Sequence, residues 1–394
     1  MFGSRIGAGV VALGVAFVIG VGPALAAGGW TIVAAPPTGQ DAQLDGVAAT
    51  SDSDAWAVGY CCAAPNFLGA KPIIDHWNGT AWSQATVPST GYSTNSLTAV
   101  SASSTSDAWA VGRSEPQRYT WYPLAMHWNG TAWSVSTSFV SALSGQLAVG
   151  VADISPTDAY AVGGGLGSAH TGLVAQWNGS TWTRVTVPLP KNNNMSSNLD
   201  AISADSGSDV WIVGTYLFEV NSSDYSEETY SLHWNGSAWS IVPMPLNPGT
   251  NPNVGYSLDA IKANSPTDVW AVGDEYNLTT NSSSTLIEHY NGTQWSIVPS
   301  PSPGTGGVLN GVTTSNATNN VWAVGDYTPT GSSVVQTLTL NWNGNTWSTV
   351  ASPNGSTGSS VLFSVATTPG ASIVQAVGYS GVYQAFNPLA MQNG

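Results

Sequence analysis

Asp268-Val-Trp-Ala-Val-Gly273, followed by His289-Tyr-Asn-Gly-Thr-Gln-Trp295, is one instance of a two-part unit that recurs along the chain. The first half returns at Asp54–Gly59 and Asp107–Gly112. It varies at Asp158–Gly163 (with Tyr160), Asp209–Gly214 (with Ile212) and Asn320–Gly325, and has decayed at Ile373–Gly378. The second half returns at His76–Trp82, His127–Trp133, Gln176–Trp182, His233–Trp239 and Asn341–Trp347. Its final Trp falls at 82, 133, 182, 239, 295 and 347, a period near fifty residues. Of the 18 Trp, only Trp121 lies off the repeat, so the rest are read as architecture.

Each unit carries four short apolar segments. In the fifth they are a (Leu258–Ile261), b (Val269–Val272), c (about 285–290) and d (Trp295–Val298). They are rich in β-branched and aromatic residues and bounded by Asn, Gly, Ser and Pro, the pattern of strands. No helical periodicity is sustained after residue 26. Asn-Gly between c and d signals a hairpin turn with positive φ. In Ser265-Pro-Thr-Asp268 the Ser and Asp side chains are expected to cap the a–b turn. The ends make a sharper statement. Trp30-Thr-Ile-Val33 reads as a d strand with no a, b or c before it. The last copy has a at Leu362–Val365, b at Ile373–Val377 and c near Val382–Phe386, then stops. The chain is therefore predicted to be all-β, a seven-bladed β-propeller of four-stranded antiparallel blades whose last blade is closed by the N-terminal strand Trp30–Val33. A solenoid would end in polar caps instead.

Spacing separates the two rims. From c to d the aromatic spacing is always 5 residues, and a to b is 12 or 13; b to c ranges over 17–23 and d to the next a over 14–19. Variation concentrates on the rim of the b–c and d–a connections, which is where binding is expected. Strand a begins there, nearest the axis, and Asp45, Asp200, Asp259 and Asn310 share one position in four blades. Such a ring could hold a cation or a polyol, or simply be hydrated or bonded to the next blade's backbone. Tyr119-Thr-Trp-Tyr122 sits in the second b–c loop. There Trp121 and Tyr122 would stack on sugar rings or serve as loop anchors. The Asp at 54, 107, 158, 209 and 268 come one per blade and cannot share an ion, so turn capping is their expected role. The His at 76, 127, 233 and 289 are expected to make structural hydrogen bonds.

Composition removes whole classes. With 7 Lys+Arg against 22 Asp+Glu, net −15, the chain has no basic footprint for nucleic acid or anionic lipid. At 42% hydrophobic and 10% aromatic it is no disordered chain. Met1 to Ala26, with Arg5, an apolar run and Ala24-Leu25-Ala26, reads as a secretory signal peptide, leaving 27–394 as one domain outside the cytoplasm. The two Cys, Cys61 and Cys62, are adjacent, leaving open a vicinal disulfide, free thiols or intermolecular pairing.

The strand b pattern with the Gly-x-Thr-Trp hairpin, here Val269–Gly273 with Gly292–Trp295 and Gly179-Ser-Thr-Trp182, resembles bacterial neuraminidase (Asp-box) repeats. It is especially similar to the photosystem II assembly-factor family of propellers. Aligned without gaps, the Asp of the box falls on Trp177 and its preceding Ser on Ala175, so the resemblance implies fold and no activity. A sialidase of that shape needs three Arg from separate blades. This chain offers Arg113, Arg118 and Arg184, two of them in one loop. No nucleophile elbow, zinc motif or phosphate loop appears. The reading is a secreted, monomeric, non-enzymatic binding propeller for a carbohydrate or an extracellular protein, with no cofactor and no metal. The alternatives are an extracellular glycoside hydrolase using carboxylates at the axial mouth and a cell-surface structural protein.

Overall fold

A computed structural model describes residues 29–38, 41–62, 67–117, 120–165, 172–190, 197–221, 224–245, 253–315, 320–355, 358–368, 370–383 and 385–394. The signal segment and its cleavage site, Tyr119 and Arg118 lie outside the described residues. Seven four-stranded antiparallel sheets follow one another around an axis, each a meander. Blade 1 is Gln43–Ser51 (a), Asp54–Cys61 (b), Lys71–Trp77 (c) and Trp82–Gln84 (d). Blades 2 to 6 span 94–135, 146–185, 197–242, 254–297 and 308–349. Blade 7 is Ser359–Ala366, Val374–Val382 and Ala385–Asn393, completed by Thr31–Val33. That N-terminal strand pairs Thr31 with Gln392, Ile32 with Met391 and Val33 with Ala390, closing the ring as the two chain ends implied. The last c strand runs later than the sequence suggests, over Ala385–Asn393. One helical turn, Phe139–Ala142, interrupts the strands between blades 2 and 3, with Phe139 buried against Trp182.

The Trp earn their period at the seams between blades. The strand b aromatic of one blade meets the c and d aromatics of the next. Trp56 lies 5.1 Å from Trp133 edge-to-face, Trp109 4.9 Å from Trp182 and Trp211 5.8 Å from Trp295. Trp270 lies 5.5 Å from Trp347, and Trp322 lies 5.4 Å from Trp30 of the closing strand. Such pairs add about 0.5–1.5 kcal/mol each beyond the area they bury. The seam between blades 7 and 1 has no such aromatic on strand b, because Gln375 stands in its place.

Two turn assignments change. The motif aspartates do not cap the a–b turn. Ser51, Ser104, Ser155, Ser206 and Ser265 do, each hydroxyl accepting the N–H two residues on. The aspartates turn inward and meet the repeat His: His76 and Asp54, His127 and Asp107, His233 and Asp209, and His289 and Asp268, each at 2.7 Å. Gln176 replaces His opposite Asp158, and Asn341 faces Asn320. The imidazole also stacks on the strand b Trp, as His233 does on Trp211 at 4.1 Å. At the c–d turn only the Gly takes positive φ, for example Gly79 at 92°. Asn78 acts through its side chain, whose carbonyl accepts the N–H groups of Thr80 and Ala81.

Candidate functional site: the axial mouth

A β-bulge recurs at the start of strand a in every blade. In blade 1 Leu44 pairs with Gly59 and Gly46 with Val58, which leaves Asp45 without a partner in the ladder. The same skip isolates Thr98, Val149, Asp200, Asp259, Asn310 and Phe363. A bulged residue leaves the regular alternation and is re-aimed. The motif glycine is the counterpart of this device. A Cβ on Gly59, Gly112, Gly214, Gly273, Gly325 or Gly378 would stand 1.9–2.1 Å from a carbonyl oxygen of the facing strand a. Only glycine lets the two backbones come so close beside the bulge. One step further on, Gly46 packs against the backbone of blade 2, where a Cβ would lie 3.0 Å from Ala99 Cα, so the a strands crowd around the axis.

The crowding leaves a central cavity of about 810 Å³, whose lining includes Asp45, Asp200, Asp259 and Asn310. The four ring positions read from the sequence therefore do share one space. Asp45 accepts from Gln43 Nε2 at 2.6 Å, and Asp200 from Thr215 Oγ1 at 3.0 Å. Asn310 donates to Leu362 O of blade 7 at 2.8 Å, the inter-blade backbone bond, and reaches Asp326 at 3.3 Å. Among the described residues none of these carboxyls has a hydrogen-bonded His like those of the opposite rim. Burial pushes Asp45 up to about 7, against the Gln43 bond and the charge of Arg113. Burial also takes Asp200 to about 7, with Thr215 opposing and Glu227 adding to the rise. Asp326 reaches about 7 through burial and the charge of Asp274, with the Asn310 bond opposing. Asp259 is raised to about 8 by desolvation, then by Asp274, Asp200 and Asp326. Its side chain is nonetheless exposed to channel water, which moderates the desolvation. The like charges act in the same upward direction.

One side of the mouth is built differently. Arg113 lies between two aromatic faces, its guanidinium carbon 4.3 Å from the Phe67 ring centre and 4.7 Å from that of Trp121. Its Nε donates to Ser96 Oγ at 3.2 Å, and Tyr60 backs Phe67 at 4.7 Å. Trp121 is thus half-buried with a face taken by Arg113, the anchor alternative rather than a free stacking platform. Tyr122 remains exposed, 6.3 Å from Tyr92. Cys61 and Cys62 form a vicinal disulfide at the end of blade 1 strand b, beside this cluster. Sequence reading weighed Arg113 only as a sialidase-type arginine and passed over Tyr60, Phe67 and Lys262, because strands of different blades meet only in the closed ring. The repeat-end glycines were the one available signal of the bulge. Among the described residues no group of three or more His, Cys, Asp or Glu is placed to hold a metal ion, and no helix is long and apolar enough to cross a membrane.

No family model matches the chain and no curated protein does. Solved structures do. It is similar to YCF48 bound to a D1 peptide, at 14% identity and a TM-score of 0.54 over 94% of this chain and 96% of that one. It is also similar to a polysaccharide lyase of family PL25, an ulvan lyase bound to -[GlcA(1-4)Rha3S]-, at 9% identity and 0.56 over 89% and 94%. The Trypanosoma rangeli sialidase follows at 7% identity and 0.48, over 90% of this chain and 55% of that one. At these identities the likeness is one of fold alone.

Proposed function

We propose that this chain is a secreted, non-enzymatic binding propeller whose ligand, a glycan or an extracellular protein, docks over the axial mouth on the rim of the b–c and d–a connections. One observation carries the reading. The seven bulge positions are geometrically equivalent and the residues around them repeat, yet they hold Asp45, Thr98, Val149, Asp200, Asp259, Asn310 and Phe363. Where architecture dictates, the repeat is monotonous. Here the seven positions offer three carboxyls, an amide, a hydroxyl and two apolar side chains to one shared cavity, the disposition of a recognition site on a rigid frame. Carboxyl and amide groups suit the hydroxyls of a sugar, and the aromatic wall around Arg113 suits an apolar ring face. The peptide of YCF48 and the uronic-acid polymer of the lyase support the reading only as analogy of fold. Secretion rests on the Met1–Ala26 segment. The test is a glycan array and a pull-down of extracellular proteins with chain 27–394, repeated with Asp200→Asn/Asp259→Asn. A ligand lost by that variant with its circular dichroism intact is expected; blanks from both screens would sink the reading.

A second reading has its own observation. Asp259, raised to about 8 by desolvation and then by the charges of Asp274, Asp200 and Asp326, lines the cavity and keeps its proton near neutrality, as a general acid must. Release of reducing ends from an extracellular polysaccharide, abolished in Asp259→Asn, would favour it over pure binding.

A further inference from the structure

The axial cavity also contains an amine that the mouth reading does not use. Lys262 lies on strand a of blade 5 (Val254–Ser265) and lines the cavity. Its place is filled by Ala48, Ser101, Ala152, Ser203, Thr313 and Ala366 in the other blades, so it is the one long side chain at that level. Among the described residues its amine has no hydrogen-bond or ion-pair partner; the ion pairs are the four His–Asp pairs. The charge that acts on it is that of Asp205 of blade 4. A lysine on a surface is a solvated cation and a poor nucleophile. One enclosed by strands, unpaired and open to a cavity has its lone pair available.

We propose that Lys262 is a nucleophilic site that captures small aldehydes entering the axial cavity, as an imine. The Nζ lone pair adds to the carbonyl carbon while the C=O π electrons move to oxygen. A proton passes from nitrogen to that oxygen, giving the carbinolamine. Loss of water then leaves C=N, so amine and aldehyde become imine and water with no redox change. Burial supports this by holding the amine below the ordinary lysine range, with Asp205 partly opposing. Each unit of lowering multiplies the neutral fraction near pH 7 about tenfold.

The chain from residue 27 has three lysines, 71, 191 and 262, so the chemistry can be read residue by residue. Lys71 is exposed on strand c of blade 1 and is the internal reference. The folded protein is treated with propanal and sodium cyanoborohydride at pH 7 and mapped by peptide mass spectrometry. Hydride from the cyanoborohydride fixes each imine as a propyl amine. Lys262 should be labelled at least about tenfold faster than Lys71. Equal or slower labelling of Lys262 overturns the proposal. Lys262→Met should remove that label and leave the Lys71 rate unchanged. If Lys262→Met does not fold, the comparison within the native chain decides alone. These readouts are independent of whether the mouth binds a glycan or a protein.

Discussion

Blade 5 holds two aspartates nine residues apart, Asp268 on one rim of the ring and Asp259 on the other, and their surroundings are opposite. Asp268 accepts from His289 Nε2 at 2.7 Å, Trp270 Nε1 at 3.0 Å and Asn264 Nδ2 at 2.8 Å. Burial acts to raise it, but those bonds and the His289 charge outweigh burial and hold it below its ordinary value. Asp259 has other carboxylates for neighbours and is driven up to about 8, by desolvation first. The contrast extends around the ring. Asp54 is likewise held low, burial being overcome by His76 and Thr50, while Asp45, Asp200 and Asp326 rise to about 7. One rim uses aspartate to lock a His and a Trp inside the blade. The other leaves its carboxyls to face a shared cavity. The first is architecture, and the second has polar capacity to spare for a ligand.

The largest effect should separate the two rims within blade 5. Asp268→Ala strips the acceptor from one buried and two half-buried donors and is expected to cost about 3 kcal/mol in denaturant unfolding. Asp259→Ala should cost less than about 1 kcal/mol, since it removes like-charge repulsion along with one weakly satisfied group. Equal costs would erase the distinction. A second test uses an acid that belongs to neither rim. Asp75 on strand c of blade 1 is fully buried, neither carboxyl oxygen has a partner, and burial raises it to about 7. Its counterparts are Met126, Ala175, Leu232, Glu288 and Leu340 in blades 2 to 6, four of the five uncharged. Asp75→Leu is therefore expected to stabilise the protein, by about 1–3 kcal/mol at pH 8 and less at pH 5, where the carboxyl is already protonated.

The rims should also part in their pH dependence. A carboxyl raised in the folded state keeps its proton where the unfolded chain has lost it, so the mouth acids make stability fall as pH climbs from about 4 to about 8. Those held low act the other way. Their contribution is complete above the ordinary aspartate value of 3.8 and disappears as pH drops through the depressed one. Melting temperature against pH should thus lose part of its alkaline-side descent in Asp259→Asn and part of its acid-side rise in Asp268→Asn. Exchanged effects would reverse the assignment.

The seams were easy to read from sequence because architecture repeats: an aromatic on six b strands and an aromatic pair in six c–d hairpins announce an interface six times over. The mouth rim was legible only in position. That Asp45, Asp200, Asp259 and Asn310 start their strands near the axis follows from blade order. That they leave the ladder through a bulge does not, although Gly59 and its five close-packed counterparts carry the trace of it. The His–Asp pairs were half visible, each partner noted separately. Of the Ser and Asp both expected to cap the a–b turn, the Ser do so, and the Asp is drawn inward by a His that sequence spacing does not place beside it. Trp121 stood out because it breaks the period, but Phe67 and Lys262 occur once each among residue types that carry no repeat, and nothing in the sequence sets them beside Arg113 or the axis.

The smallest effect concerns the joint where the rim pattern fails. Blade 7 has Ile373 in place of the motif Asp and Gln375 in place of the Trp, so the seam to blade 1 lacks both locks. Asp52 of blade 1 reaches across instead, accepting from Ser372 N at 3.1 Å, Ser372 Oγ at 2.8 Å and Ile373 N at 3.0 Å. Slight burial works against its charge, but the Ser372 and Ile373 bonds prevail and hold it low. The clasp is partly solvated, so Asp52→Asn should cost no more than about 1 kcal/mol. That difference should be present above pH 4 and vanish as the carboxyl protonates below its depressed value. Hydrogen exchange gives the sharper readout. Amides of Thr31–Val33 and of the Ala385–Asn393 strand should exchange faster in the variant while those of blade 4 do not. Uniform loss of protection would mean that the ring opens as a whole and that its ends are no weaker than any other seam.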